Sequence, residues 1–569
     1  MNGAVDEKNT FSPAHHPHLR YNHLLGTSVL VCSHRLKRPW QGQTEKVFSE
    51  DQLEWDPNNP LCPGVKRASG AVTPNYTSTY VFDNDFPALL KDSPSPPEST
   101  DPLFVASPAR GVCRVVCFHP KSNVTIPLMS QVEVEAVVDT WVEQFRELSE
   151  KYLWVQLFEN RGLMMGCSNQ HPHCQVWASD FLPSEPMVKD QKQKEYYQKY
   201  NIPLLVDYVQ KEVKLRERLV AVNQTWVCLV PYWAAWPYET MLIPRRHVPK
   251  MQDLLQEEKR DLADIMRVLT SKYDNLFSCS FPYTMGFHGA HDSPSPPEST
   301  DPLFVASPAR GVCRVVCFHP KSNVTIPLMS QVEVEAVVDT WVEQFRELSE
   351  KYLWVQLFEN RGLMMGCSNQ HPHCQVWASD FLPSEPMVKD QKQKEYYQKY
   401  NIPLLVDYVQ KEVKLRERLV AVNQTWVCLV PYWAAWPYET MLIPRRHVPK
   451  MQDLLQEEKR DLADIMRVLT SKYDNLFSCS FPYTMGFHGA PGADFEGGDE
   501  YWQLHGMYYP CLLSSSTVRK FMGGYETFAQ VLRERTPEEA ALHLRNTSSI
   551  HYRIEKQPKM LLSIRSAFG

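Results

Sequence analysis

The chain contains a domain-sized repeat that constrains every other interpretation of its sequence. Residues 92–290 recur as residues 292–490 without one substitution in 199 positions. Solenoid repeats are short and diverged, so this repeat is a duplicated block rather than a solenoid unit. Two origins are consistent with it, a recent tandem duplication of exons or an error in assembling the gene. Removing one copy together with His291 leaves 369 of the 569 residues, and these form one continuous sequence without a repeat.

The repeat divides the chain into four parts. We predict a disordered tail over residues 1–24, which are polar. Residues 25–290 are expected to hold an N-terminal region and the first copy of the core, and residues 291–490 the second copy. Residues 491–569 are expected to form a C-terminal region that completes the fold.

Composition argues against two classes of partner and indicates a compartment. The formal net charge of −6 does not indicate the excess of basic residues that is typical of nucleic-acid-binding proteins. We find no run of about 18 apolar residues to cross a membrane and expect no secretory signal in the polar N-terminus. Of the fifteen cysteines, twelve are six repeated positions. The other three, Cys32, Cys62 and Cys511, lie in apolar, strand-like segments, which favours reduced thiols and a cytoplasmic protein.

Hydrophobic periodicity indicates strands interleaved with a few long helices. Ser130 and Glu133 form a capping box, and the apolar positions from Val134 to Leu148 follow the helical period. A last helix is predicted to begin at Thr536. Because βαβ regularity and a Gly-rich phosphate loop are missing, we predict an α+β fold with a largely antiparallel sheet flanked by helices. Strands are predicted over residues 113–118, 154–160, 173–178, 226–233, 240–244 and 502–509.

Residues 166–177, GCSNQHPHCQVW, carry the residue types suited to chemistry. Alternate side chains of a strand share a face, so His171, His173 and Gln175 are expected to point the same way. Pro172 lacks a ladder donor, which places the start of the strand at an edge or opening. The preceding Gly/Ser/Asn loop offers backbone N–H groups to a phosphate.

A neutral imidazole can attack an electrophilic phosphorus and leave again. A carbonyl that holds its Nδ1–H would leave Nε2 free to attack, and Gln175 can donate to a phosphoryl oxygen. Two other interpretations stay open on spacing alone, metal binding by the two histidines and ordinary, partly buried histidines. The tripeptide His16-Pro17-His18 shows that His-Pro-His alone is weak evidence.

Longer segments connect this strand to a known family. Together with GCSNQHPHCQVWAS (166–179), they resemble, in order, galactose-1-phosphate uridylyltransferases, a branch of the histidine-triad superfamily. The resemblance covers Tyr21 to the C-terminus and implies a histidine-triad-like half-barrel sheet. The other segments are HRLKRPWQGQ (34–43), YVFDNDFPAL (80–89), LFENRGLMMGCSN (157–169), LVPYWAAWPYETMLIPRRHV (229–248), YDNLFSCSFPYTMGFHGA (273–290), YWQLH (501–505) and TVRKFMGGYE (517–526).

The resemblance implies ping-pong transfer of UMP. His173 would attack the α-phosphorus of UDP-glucose and release glucose 1-phosphate, and galactose 1-phosphate would then take the UMP to give UDP-galactose. His171 would position His173, while Gln175 and Ser168 would bind phosphoryl oxygens. Residues 517–526 would reach a neighbouring subunit, which implies a homodimer. The remaining implied substrate contacts are Arg35, Arg38, Asn84, Asp85, Asn160, Lys520, Phe521, Tyr525 and Glu526, and the duplicated counterparts are His371, His373, Gln375, Asn360 and Ser368.

The resemblance also implies zinc, but the first ligand set is incomplete in this chain. The family's first site uses two Cys and two His, of which only Cys62 and His171 match. The other two positions are Asn59 and Ser122. One thiolate and one imidazole do not make a tetrahedral site, so we expect no metal there.

The second implied site uses Glu and three His. His488 and His505 match, with His288 as the counterpart of His488 in the first copy. Lys389 (Lys189 in the first copy) stands at the Glu position and Met507 at the third His. An ammonium and a thioether are poor zinc ligands, and the replacement carboxylates considered are Asp190 and Glu185. Zinc is therefore the one cofactor considered, and no organic cofactor is expected.

The terminal regions occur once, whereas each copy contains a histidine strand. Loop closure favours local pairing by about 0.6 kcal/mol per halving of loop length. We therefore predict that Leu25–Leu90 pairs with the first copy and residues 491–569 with the second. His173 would then be the nucleophile, and His373 would lie in an incomplete site. Two alternatives remain, a catalytically dead duplication product and a related nucleotidyltransferase acting on dinucleoside polyphosphates.

Overall fold

The computed structural model describes residues 18–22, 27–31, 53–92, 99–288, 303 and 306–510, together with 542, 545 and 546. Short gaps in these ranges are residues 93–98, 163–164, 166, 168, 237, 278–279, 363–364, 366, 368 and 493–494. None of the helices in these ranges combines the length and the apolarity needed to cross a bilayer. The helix predicted from Thr536 lies outside the described residues.

The first copy and the segment before it form antiparallel strands with helices packed against them, as predicted. The strands are β3 (Tyr80–Asp83), β4 (Gly111–Cys117), β5 (Trp154–Arg161), β6 (His173–Ser179), β7 (Leu219–Val222), β8 (Trp226–Leu229), β9 (Met241–Pro244) and β10 (Tyr283–Phe287). The helices are α1 (Gln131–Ser149), α2 (Ser184–Tyr200), α3 (Leu204–Leu215) and α4 (Gln256–Phe277).

The second copy repeats this order and ends with one further strand. Its strands are β12 (Gly311–Cys317), β13 (Trp354–Arg361), β14 (His373–Ser379), β15 (Leu419–Val422), β16 (Trp426–Leu429), β17 (Thr440–Pro444), β18 (Tyr483–His488) and β19 (His505–Pro510). Its helices are α5 (Gln331–Ser349), α6 (Ser384–Tyr400), α7 (Leu404–Leu415) and α8 (Gln456–Phe477).

Local sequence sets the beginning of α1. The Ser130 side chain accepts from the Glu133 backbone N–H and the Glu133 side chain returns to Ser130, so the predicted capping box is confirmed. The helix buries an apolar stripe that includes Val134, Val138 and Trp141. Each such side chain contributes about 2 kcal/mol when it is removed from water. The predicted strand 226–233 is shorter, since it ends at Leu229 ahead of Pro231.

The two copies build different sheets from the same sequence. In the second copy, an eight-stranded sheet runs β12-β14-β13-β18-β19-β17-β16-β15. In the first copy, the seven corresponding strands and β3, which precedes the repeat, form a five-stranded sheet, β10-β5-β6-β4-β3, and a separate three-stranded sheet, β7-β8-β9. The difference is β19, which pairs with both β17 and β18 and so joins the two parts.

The N-terminal segment contacts the first copy through β3. β3 pairs with β4 from Tyr80↔Cys117 to Asp83↔Arg114, and β12, the counterpart of β4, is the terminal strand of its sheet. Val115 is therefore 7% exposed, whereas the identical Val315 is 64% exposed. β3 thus joins the first copy and β19 the second, whereas a strand within residues 18–31 pairs with residues 306–308 of the second copy.

Part of the predicted disordered tail is a strand. β1 (His18–Asn22) pairs with β2 (Thr27–Val31) and with β11 (Ala306–Pro308), both antiparallel. The polar composition of residues 1–24 did not indicate this pairing, because its partner β11 lies almost 300 residues away. Residues 1–17 lie outside the described part of the chain.

Candidate active site

The nucleophile candidate stands at the first position of β6, between β4 and β5. His173 lies opposite Cys117, and Gln175 lies opposite Val115 on β4 and Phe158 on β5. The residue before it, Pro172, uses its carbonyl to accept from the Phe118 N–H at 2.9 Å. The strand begins at His173, so His171 precedes the regular ladder.

The tautomer of His173 is set by one backbone carbonyl. Its Nδ1–H donates to the His171 carbonyl oxygen at 2.6 Å. An imidazole with hydrogen on Nδ1 carries its lone pair on Nε2, so Nε2 is the nucleophilic atom. Burial lowers the pKa of His173 below its ordinary value, and the ring is therefore neutral at pH 7.

Both ring nitrogens of His171 are held. Nδ1 lies 2.9 Å from Ser122 Oγ and Nε2 lies 2.8 Å from the Tyr76 hydroxyl. The Tyr76 hydroxyl also donates to the Leu61 carbonyl at 2.7 Å. Because that carbonyl only accepts, Tyr76 gives its proton there and accepts Nε2–H, while Nδ1 accepts from Ser122. Burial, with the neighbouring His173 ring, lowers the pKa of His171 to about 4.

Gln175 presents its amide group beside the nucleophile. Its Oε1 accepts from Trp177 Nε1 at 3.0 Å and from Asn84 Nδ2 at 3.4 Å. These two bonds orient the amide so that the NH2 group is the part that can donate to a phosphoryl oxygen. Asn84 thereby joins the site from the turn that follows β3.

The other predicted substrate contacts are distributed around this strand. Asp85 pairs with Arg67, with 3.3 Å between Oδ1 and Nη1. Asn160 accepts from Thr284 Oγ1 at 2.8 Å, where β5 meets β10. The predicted contacts Arg35, Arg38, Ser168, Ser368, Lys520, Phe521, Tyr525 and Glu526 lie outside the described residues.

The second copy repeats the nucleophile geometry with different support. His373 Nδ1–H donates to the His371 carbonyl at 2.7 Å, and Gln375 accepts from Trp377 at 3.2 Å. His371 Nε2–H donates to the His319 carbonyl at 2.8 Å, at the position where the first copy uses Tyr76. Asn360 accepts from Thr484 at 2.6 Å, like its counterpart Asn160. The segment that carries Asn84 and Tyr76 pairs with the first copy, so the two sites differ in their surroundings and not in their own residues.

The first zinc position is filled by protein hydrogen bonds. Cys62 Sγ lies 3.0 Å from Ser122 Oγ and 3.7 Å from His171 Nδ1. Asn59 instead exchanges two amide hydrogen bonds with Asn169, at 2.8 and 2.9 Å. One thiol, one hydroxyl and one imidazole that bond to each other do not fit zinc.

The second zinc position does not fit the metal either. His488 and His505 come together on β18 and β19, but Lys389 and Met507 complete the group. In the first copy, Glu185 pairs with Lys189 at 2.8 Å, while His288 packs near Trp154. Within the described ranges, no three His, Cys, Asp or Glu side chains are grouped closely enough to hold a metal ion.

Sequence reasoning missed three residues of the site. Tyr76 lies 95 residues before His171, which it contacts, and Arg67 enters the site through Asp85, so no local pattern connects either residue to the histidine strand. Asn169 was detectable, because its Oδ1 accepts from the His171 N–H at 2.9 Å, two residues ahead. An Asn side chain that accepts from the backbone N–H two residues later is a known local turn motif.

Comparison with known proteins identifies relatives along the whole repeat. The chain matches the family model described as galactose-1-phosphate uridyl transferase, N-terminal domain, over residues 9–183 and 266–383. The corresponding C-terminal domain model matches residues 189–304 and 389–556. Each domain is matched twice, as the duplication requires.

Individual relatives agree with these matches. The probable galactose-1-phosphate uridylyltransferase of Drosophila melanogaster is 48% identical over 349 residues, which are 60% of this chain and 98% of the relative. The galactose-1-phosphate uridylyltransferase of Rattus norvegicus is 53% identical over 281 residues, 49% of this chain and 74% of the relative. A solved uridylyltransferase structure is 28% identical with a TM-score of 0.39, covering 44% of this chain and 81% of that one.

Proposed function

The chain belongs to the galactose-1-phosphate uridylyltransferase family, and from this premise we propose that the first copy of its repeat holds the working site. The reaction is exchange of UMP between UDP-glucose and galactose 1-phosphate, which gives UDP-galactose and glucose 1-phosphate. The observation that carries the proposal is the contact of Tyr76 with His171 Nε2 at 2.8 Å, because it brings the N-terminal segment to the histidine strand of the first copy. The 2.6 Å bond from His173 Nδ1–H to the His171 carbonyl leaves Nε2 free to attack.

In the first half-reaction, His173 Nε2 attacks the α-phosphorus of UDP-glucose. The new P–N bond forms while the P–O bond to glucose 1-phosphate breaks, and UMP stays on the imidazole. The uridylylated ring is a cation whose remaining N–H is Nδ1–H. The His171 carbonyl accepts that hydrogen, and a bond from a charged donor is about twice as strong as a neutral one.

In the second half-reaction, a phosphate oxygen of galactose 1-phosphate attacks the same phosphorus. The P–N bond breaks and its electron pair returns to Nε2, which restores the neutral ring. Gln175 supports this sequence because its amide donates to a phosphoryl oxygen without supplying a proton. An acid at this position would ease transfer to water, whereas a neutral amide lets the intermediate wait for the sugar phosphate.

The two histidine strands provide a direct test of which copy works. We expect His173→Gly to abolish both covalent trapping of labelled uridine nucleotide and formation of UDP-galactose, since the nucleophile is removed. The matched variant His373→Gly should retain both, because it removes the same side chain from the copy without Asn84 and Tyr76. Loss of transfer in His373→Gly alone would assign the working site to the second copy.

Two further properties are part of the proposal. The resemblance of residues 517–526 to the segment that reaches a neighbouring subunit supports a homodimer, which light scattering on the purified chain would measure. The described cysteines are free thiols, which supports a reducing, cytoplasmic location; cell fractionation would test it.

A catalytically dead product is the second candidate, and one observation favours it. The N-terminal segment contacts the first copy, whereas β19 closes the sheet of the second copy. Within the described residues, β3 joins only the first copy and β19 only the second. Purified protein that gives no UDP-galactose from UDP-glucose and galactose 1-phosphate, yet still binds uridine nucleotide, would support this candidate.

A further inference from the structure

A lysine ammonium occupies the centre of a buried group of side chains in the second copy. Lys389 Nζ on α6 lies 3.1 Å from His488 Nδ1 and 3.4 Å from His505 Nε2. The Met507 sulfur lies 2.9 Å away, and Glu385 Oε1, one helical turn before the lysine, lies 3.0 Å away. His488 and His505 are 5% and 2% exposed, so water is excluded from the two imidazole contacts, whereas the Glu385 side chain is 64% exposed and its pair with Lys389 is open to water.

The hydrogen-bond directions in this group are determined. An ammonium group only donates, so both imidazole nitrogens that face it must present lone pairs. His505 Nδ1–H donates to the Gln503 carbonyl at 2.9 Å, which places the lone pair on Nε2, the atom that faces Lys389. The thioether of Met507 also accepts. A carboxylate and three neutral acceptors therefore converge on one positive charge.

We infer that the Lys389 ammonium takes the place of a metal ion, as a cation built into the chain. Imidazole nitrogens are ligands that zinc uses, but here the two imidazoles face an ammonium, and a thioether completes the group. Here the central charge is covalently attached to α6, and it links this helix to β18 and β19. Lys389 stands where the resemblance implies a Glu ligand, and its ammonium supplies the positive charge. Met507 stands where the resemblance implies a third His, and its sulfur accepts a hydrogen bond from that ammonium.

The first copy is an internal control for this arrangement. Lys189 has the same sequence around it, but the sheet of the first copy lacks β19 and so lacks His505 and Met507. Lys189 Nζ pairs with Glu185 at 2.8 Å. The complete group of acceptors thus requires β19, which supplies His505 and Met507. Lys389 in turn attaches β19 to α6.

Removal of the built-in cation should create a metal site. Glu at position 389 would be shorter than Lys, and its carboxylate would leave room for an ion near the present Nζ position. Zinc bonds to carboxylate oxygen at about 2.0–2.2 Å and to imidazole nitrogen at about 2.0–2.1 Å. The two imidazoles would have to move inward by about 1 Å, judged from zinc–nitrogen distances. His488, His505 and the new Glu would then supply two nitrogens and one oxygen.

The test is zinc content of the full chain after incubation with zinc and dialysis. We expect Lys389→Glu to hold about one zinc per chain more than wild type and to show a Tm that rises with zinc. Lys189→Glu, the same change in the copy without β19, should hold no more zinc than wild type.

Three results would overturn the inference. One is equal zinc content in wild type and a folded Lys389→Glu, and another is an equal gain in Lys189→Glu. The third is wild-type zinc that is lost in His488→Ala. Lys389→Met serves as a second variant should Lys389→Glu fold poorly; it should lower Tm and gain no zinc, and an unchanged Tm would show that the ammonium does not link the elements.

Discussion

Single residues decide which atom of the site is reactive. His173 and His373 have nearly the same bond to a preceding carbonyl, at 2.6 and 2.7 Å, because each follows the same Asn-Gln-His-Pro turn. This geometry was predictable from sequence, since it depends on residues two apart. The support of His171 by Tyr76 and Ser122 was not, because both contacts join segments 49 or more residues apart. A hydrogen bond between residues two apart can be predicted from the sequence, whereas contacts between distant segments of the chain cannot.

The lowered pKa of His173 gives a prediction for the pH dependence of the first half-reaction. The nucleophile must be neutral, and burial lowers its pKa from the ordinary 6.5. The rate of label transfer from UDP-glucose to the protein should therefore fall as the pH is lowered, with a midpoint below pH 6.5. A midpoint at or above pH 6.5 would contradict this.

UDP-glucose alone should be used for that measurement. Its phosphates are diesterified and do not titrate in this range. Galactose 1-phosphate is a phosphomonoester with a second pKa of about 6, so its own titration would overlap with that of the histidine.

At the scale of strands and helices, identical sequences have different environments. β4 is covered by β3, whereas β12 is the terminal strand of its sheet. Periodicity predicted both strands and could not distinguish them, since the difference comes from a partner outside the repeat. Helix α2 was read only as a polar stretch because its seventeen residues lack an apolar stripe. Its ends are instead set by Pro183 and by Asn201, whose φ of 54° stops the helix.

This difference makes the duplicated valines a matched pair. Val115 is 7% exposed and packs among Leu61 and Cys117, whereas Val315 is 64% exposed. We expect Val115→Ala to lower the free energy of unfolding by about 2 kcal/mol. Val315→Ala should change it by less than about 0.5 kcal/mol. Urea denaturation of the two variants would measure both effects, and equal losses would show that β3 does not cover β4 in solution.

At the scale of the whole molecule, β3 and β19 are attached to different copies. Closing the second copy with β19 spans residues 489–504, whereas closing the first copy would span residues 288–504. The longer loop costs about 2 kcal/mol more. A chain in which β19 joins the copy that holds Asn84 would therefore be about thirtyfold less populated than the arrangement described.

Deletion of His291–Ala490 tests this consequence. The shortened chain of 369 residues has one acceptor for both terminal segments, so β19 closes the sheet that contains His173. We expect its specific transfer activity to exceed that of the full chain by about thirtyfold. UDP-galactose formation per mole of protein would measure the difference. Equal activities would mean that the site does not need both segments on one copy.

The strand β12 also bears on the fate of the protein in a cell. It is a seven-residue strand with alternately exposed side chains; β14 pairs with one of its edges, and no described strand pairs with the other. The unpaired backbone N–H and C=O groups of such an edge strand pair with strands of chaperones or of other unfolded chains. A β3 segment released from one molecule would fit this edge on the next, so the duplication predisposes the protein to open-ended polymers and to removal by proteolytic quality control.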